Sequence, residues 1–114
     1  MFATCSFEDI RVWHSSTSQE LLRIKVPNKT CNSLTFARDG SAIISGWDDG
    51  KIRAFYPETG RVMFVINDAH QRGVTSVAMT SDCRRIISGG GEGMVRVWNI
   101  KPDSQTLEAT MKEH

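Results

Sequence analysis

The sequence predicts an all-β chain built from repeated antiparallel meanders, and three observations carry that expectation. The first is internal repetition. At an offset of 43, residues 31–56 align with 74–99 without a gap, and eight of those 26 positions are identical. They are Ser33/Ser76, Asp39/Asp82, Ile43/Ile86, Ile44/Ile87, Ser45/Ser88, Gly46/Gly89, Gly50/Gly93 and Arg53/Arg96. An offset of 42 adds a third copy, with Asp9–Trp13 lying over Lys51–Phe55. A period of this length marks units that stack into an array, because one unit alone cannot bury its apolar faces. The second observation is a period of two: Leu34 and Phe36, and likewise Val77 and Met79, alternate with polar neighbours. The third is that no segment of ten or more residues keeps a helical apolar stripe.

Within each repeat the elements follow in order. After the alternating segment around Leu34, Asp39-Gly40 marks a hairpin corner, since Gly accepts a positive φ without a Cβ clash. The apolar run Ala42–Ser45 follows and turns at Asp49-Gly50, ten residues after the first corner. Glu58-Thr59-Gly60 is a further turn before Arg61–Ile66, which is too uniformly apolar to be a loop. In the next copy the run is Arg85–Ser88 and the corners read Asp82-Cys83 and Glu92-Gly93.

Composition narrows the function classes. The chain has 114 residues, 39% hydrophobic and 24% charged, with fourteen Lys and Arg against thirteen Asp and Glu. A net charge of +1 excludes strong electrostatic binding of nucleic acid. No apolar stretch approaches eighteen residues, so no membrane span is expected. Met1–Cys5 lacks the basic start and apolar run of a signal peptide, which favours a soluble cytosolic protein. Cys5, Cys31 and Cys83 are odd in number and widely spaced, which suits reduced thiols better than a disulfide framework or a zinc site. No metal and no cofactor is expected. Gly89–Gly93 has the look of a phosphate loop, but no Lys-Ser or Lys-Thr follows and the next segment is a strand.

Ala69-His70, Val74–Val77, Ser81-Asp82, Ile87–Gly89 and Val95–Asn99 together resemble one WD repeat, with Ala69 in place of the family's Gly and Asn99 in place of its closing Asp. The resemblance implies a partial WD-repeat β-propeller of about two and three-quarter blades, each a four-stranded antiparallel sheet. On that mapping residues 1–26 hold strands b, c and d of a first blade: Phe2–Cys5, Ile10–Trp13 and Leu21–Val26. Residues 27–66 form a second blade from Cys31–Ala37, Ala42–Gly46, Lys51–Phe55 and Val62–Ile66, with Pro27–Thr30 as a rim connection. Residues 67–111 form a third from Val74–Thr80, Arg85–Gly89, Val95–Trp98 and Leu107–Met111, and 112–114 begin the next repeat at Glu113-His114. That makes eleven strands. A closed propeller of seven blades needs roughly 300 residues, so the chain is expected to be a fragment. Alone it is expected to self-associate through its exposed terminal faces and edge.

The resemblance also implies a buried hydrogen-bond network. His70, Ser88, Glu92 and Trp98 would carry it in the third blade; the second keeps Ser45 and Asp49 but has Phe55 for the Trp and Pro27 for the His, so its network is expected to be broken. The same logic reads Ser88, His70 and Glu92 as structural, not as a hydrolase triad, because buried polar groups must be paired. Recurrence of Arg11, Arg53 and Arg96 at the repeat period argues for scaffold, with aliphatic stems packing between blades.

Propellers bind through their rims, where exposed polar and aromatic residues are the candidates. On one rim these are Lys29, Trp47, Asp48, Gln71 and Arg72. Trp47 is either an interface anchor or a cover for the blade edge. Arg84 and Arg85 in the a–b turn, with Lys101, are candidates for meeting an acidic surface such as tubulin's. The strings 2–13, 57–61, 80–85 and 87–93 are not general to WD repeats and resemble the WD-repeat proteins of motile cilia and flagella. This implies a non-enzymatic scaffold on axonemal doublet microtubules, inside the tubule, contacting tubulin and other inner proteins. A WD adaptor of another cytosolic complex, such as a substrate receptor or signalling scaffold, is the alternative.

Overall fold

The computed structural model describes residues 1–101 and 104–112. Among the described residues ten strands follow one another: β1 Phe2–Cys5, β2 Phe7–Trp13, β3 Glu20–Phe36, β4 Ile43–Trp47, β5 Ile52–Phe55, β6 Val62–Ile66, β7 Val74–Met79, β8 Arg85–Gly90, β9 Met94–Lys101 and β10 Ser104–Lys112. Every pairing is antiparallel, in a six-stranded sheet ordered β1 to β6 and a four-stranded sheet ordered β10-β9-β8-β7. The repeat is visible in the registers: Ser45 faces Arg53 across β4 and β5, as Ser88 faces Arg96 across β8 and β9. Glu113-His114, expected to open a next repeat, lie outside the described residues.

Ten strands replace the eleven expected because Leu21–Val26 and Cys31–Ala37 run together as β3. The expected rim connection Pro27–Thr30 is drawn into the strand, with an irregularity at Asn28, because the β1–β2 corner satisfies its backbone. Phe7 pairs with Thr30, the Cys31 amide donates to the Ser6 carbonyl at 3.1 Å, and the Asn28 amide donates to the Glu8 carboxylate at 2.7 Å. Asn28 takes a φ of 63° there, a conformation Asn tolerates better than most residues. The first half of β3 therefore pairs with β2 and the second half with β4.

Two apolar clusters hold three layers together. Ile10, Val12 and Ile24 from β2 and β3 pack with Ile43, Trp47 and Phe55 from β4 and β5. On the opposite face of the same middle layer, Ile44, Ile52, Ala54 and Ile66 pack with Val74, Ile86 and Trp98 of the second sheet. Alternation along β4 sends Ile43 to one cluster and Ile44 to the other, so this strand is buried from end to end. The sheets are also joined by polar contacts from β3 to β7. Asn32 Nδ2 donates to the Val74 carbonyl at 3.0 Å, and the Val77 amide donates to Ser33 Oγ at 3.1 Å.

The hairpin corners behave as the repeat suggested. Gly40 sits at a φ of 76° and Cys83, its repeat equivalent, at 60°. The turn geometry is thus kept in the third layer at the cost of a strained non-glycine residue.

Candidate interaction site: a buried network and two rims

The third layer assembles the expected network. His70 precedes β7, Ser88 lies on β8, Glu92 in the β8–β9 turn and Trp98 on β9. His70 Nδ1 meets Glu92 Oε2 at 2.6 Å, and its Nε2 meets Ser88 Oγ at 2.8 Å. Trp98 Nε1 donates to the same hydroxyl at 2.9 Å. In the tautomer that donates Nδ1–H to the carboxylate, Nε2 accepts the Ser88 proton. Glu92 Oε1 accepts the backbone amides of Gln71 and Arg72 at 2.7 and 3.2 Å. Burial alone would raise the Glu92 carboxyl, but the bonds from His70, Arg72 and Gln71 outweigh it and hold the group below its ordinary range. The connectivity Ser–His–carboxylate is that of a hydrolase. Here Ser88 is 1% exposed and His70 3%, and an indole occupies the hydroxyl. The hydroxyl has neither access to a substrate nor a free direction of attack, and the arrangement ties a loop, a turn and two strands together.

The second layer departs from expectation. Trp47, expected exposed on the rim, is fully buried at the end of β4 and is not available to a partner. The reason is polar as much as apolar. Its Nε1 donates to Ser45 Oγ at 2.8 Å, and Ser45 in turn donates to the Arg53 carbonyl at 2.7 Å. Trp47 thus gives Ser45 the N–H donor that Trp98 gives Ser88, and the Arg53 carbonyl takes the Ser45 proton as His70 Nε2 takes that of Ser88. The repeat equivalent of Trp47 is Gly90, where a Cβ would lie 2.3 Å from His70 Nδ1. Position 90 must be empty for the histidine to enter, and position 47 fills the corresponding room with its own side chain. With no histidine to hold, Asp49 takes Arg53 in a two-pronged pair at 2.8 and 3.2 Å, and the guanidinium lies 5.2 Å from the Trp47 ring centroid. The network expected to be broken is rewired. Burial would raise Asp49, but the Arg53 and Lys51 hydrogen bonds prevail and lower it. The recurrent arginines are structural in each layer: Arg53 as described, Arg96 through Nη1 to the Ala69 carbonyl, and Arg11 beside Asp9 and Glu20.

The other rim candidates fall into two sets at opposite ends of the strands. Asp48, Gln71 and Arg72 are exposed and share one end with the buried network, while Lys29 is half-buried near Asp49. The Gln71 and Arg72 backbones are pinned by Glu92, which leaves their side chains outward. At the opposite end, Arg84, Arg85 and Lys101 line one recess of about 440 Å³ with Asp82, Asn99 and Ile100. Arg85 is already engaged, with Nε 2.7 Å and Nη2 3.3 Å from the Glu108 carboxylate. Beside it lies a second recess of about 440 Å³ lined by Tyr56, Met63, Phe64, Cys83, Ile100, Lys101 and Gln105. Sequence reasoning missed this apolar half, since Met63 and Phe64 read simply as strand interior. It also missed Asn32 and Ser33 as links between sheets, although the Ser33/Ser76 identity was a signal for the latter.

Comparison with known proteins agrees with this architecture. The family model described as "WD domain, G-beta repeat" matches residues 61–99. The whole chain is 65% identical to cilia- and flagella-associated protein 52 of Bos taurus and of Homo sapiens, and 61% identical to the protein of that name in Chlamydomonas reinhardtii. In each case all of this chain is covered, and it spans 18% of the relative's length. With a G-β-type repeat at 61–99 and antiparallel sheets stacked at the repeat period, the chain is an all-β, partial WD-repeat propeller.

Proposed function

We propose that this chain is part of a non-enzymatic protein–protein interaction scaffold of the ciliary and flagellar axoneme, acting as a microtubule inner protein that stabilises doublet microtubules and supports motility. The observation that carries the reading is the whole-length match, at 61–65% identity, to algal and mammalian proteins named for association with cilia and flagella. The site chemistry supports it. The Ser–His–carboxylate set is consumed by packing, whereas charged and polar groups face outward on both rims. Tubulin and other axonemal inner proteins are the partners this reading names, with Lys29, Asp48, Gln71 and Arg72 on one rim and Arg84, Arg85 and Lys101 on the other as contacts. Co-sedimentation of the full-length protein with doublet microtubules tests it. Enrichment over an unrelated WD-repeat adaptor is expected, and equal sedimentation of the two would refute the axonemal reading in favour of an adaptor of another complex.

A further inference from the structure

We propose that the two adjoining recesses at the Arg84 end of the strands form one groove that binds a partner's peptide segment, in which an apolar side chain is flanked by carboxylates. The inference deepens the scaffold reading by stating what the partner must present. The recesses adjoin, with Ile100 and Lys101 lining both, and each holds about 440 Å³. One half is walled by Tyr56, Met63, Phe64 and Ile100, and Tyr56 keeps 44% of its surface exposed. The other half carries Arg84, Arg85 and Lys101, all exposed.

The charge balance of that half names the occupant. Three cations, Arg84, Arg85 and Lys101, stand against one lining carboxylate, Asp82, whose charge bears on Arg84 and Arg85. Asp82 accepts from Thr80 Oγ1 at 2.6 Å and from the Arg84 amide at 3.0 Å, and Glu108 is held by Arg85. Arg84 and Lys101 make no ion pair among the described residues. Among the described residues these two cations therefore stand without an ion-pair partner at the mouth of the groove, beside an arginine that already holds the Glu108 carboxylate on this wall. An aromatic or aliphatic anchor seated against Met63 and Phe64 would leave flanking acidic residues within reach of Arg84 and Lys101. Such pairs add specificity and association rate to the area the anchor buries.

The test uses a fluorescein-labelled peptide of glutamates around one phenylalanine, titrated against the 114-residue chain and followed by fluorescence polarisation. Saturable binding is expected, weakened about tenfold or more by Arg84→Glu with Lys101→Glu and weakened also by Tyr56→Ser. All three positions are exposed, and unchanged tryptophan fluorescence checks that the fold is kept. Lys25→Glu, an exposed cation on β3 in the first layer, is expected to leave binding unaltered. The proposal is overturned if the peptide does not bind at millimolar concentration, if Lys25→Glu weakens it equally, or if polyglutamate without the phenylalanine binds as tightly. Doublet co-sedimentation of the full-length protein is read separately: sedimentation without peptide binding sinks the groove and leaves the scaffold standing. Peptide binding without sedimentation does the reverse.

Discussion

Replacing Ser88 by Ala measures how much the buried network contributes. The substitution deletes a hydroxyl that serves His70 Nε2 at 2.8 Å and Trp98 Nε1 at 2.9 Å. Both partners stay behind in a site where His70 is 3% and Trp98 7% exposed, so water does not replace the lost bonds. A buried polar group left unpaired costs about 1–3 kcal/mol, and with two such groups the expected loss is about 2–6 kcal/mol. Ser45→Ala is the internal comparison. It orphans one side-chain donor, Trp47 Nε1, while the Arg53 carbonyl that Ser45 also served belongs to a residue paired in the β4–β5 ladder. The expected loss there is about 1–2 kcal/mol. Equilibrium urea denaturation at one fixed protein concentration, followed by tryptophan fluorescence, gives both values. A Ser88→Ala loss below about 0.5 kcal/mol, or a reversed ranking of the two variants, would refute the assignment of the third-layer network as a structural tie.

Trp47→Ala should destabilise the chain by about 3–5 kcal/mol, as emptying a core position does; a rim anchor would cost almost nothing in the same denaturation assay. Gly46→Ala should cost about 1–3 kcal/mol by overpacking, because the new methyl would lie 2.4 Å from Val74 Cγ1 and 3.0 Å from its Cβ; thermal melts without a downward shift would contradict that close approach of the sheets. Glu92 is held below its ordinary 4.5 in the folded chain, so its contribution is present above that pH and lost as pH falls through the lower folded value. Glu92→Gln should therefore be less stable at neutral pH yet lose less on acidification, which denaturation midpoints from neutral pH down to below 4.5 will show or deny. The Cys31 thiol is pushed up by its contact with Cys5 and by burial and is 4% exposed. It should be the last of the three thiols alkylated by iodoacetamide under native conditions, and mass mapping that finds it first would exclude the packing described.

Most of the strand order was legible in the residues because it rests on local signals. The period-two alternation in β7 and the corners at Gly40 and Gly50 depend on near neighbours in the chain, and the repeat at an offset of 43 shows the same local pattern twice. The β3 join was not legible, since the WD-repeat mapping makes Pro27–Thr30 a rim connection, and it is drawn into the strand only because Ser6, Phe7 and Glu8 meet it from elsewhere. The third-layer network was legible because its residues match the WD-repeat pattern position by position. The second-layer network was not, because matching by position looks for a histidine and a strand-c tryptophan. What Ser45 needs is a nitrogen at hydrogen-bond distance, and a tryptophan two residues along the same strand provides it.

By itself, then, the sequence determined the class of the fold and the layer repeat, which follow from spacing and residue chemistry, and its resemblance to a WD repeat named the polar set His70, Ser88, Glu92 and Trp98. Only the tertiary structure decided that Trp47 faces inward, that Asp49 is spent on Arg53, and that the recess of Arg84, Arg85 and Lys101 adjoins the one lined by Tyr56, Met63 and Phe64. The physical reason is common to all three. A side chain's environment is set by which layer packs against it and by which hydrogen-bond partner lies within reach, and those neighbours come from other strands that no local pattern can name.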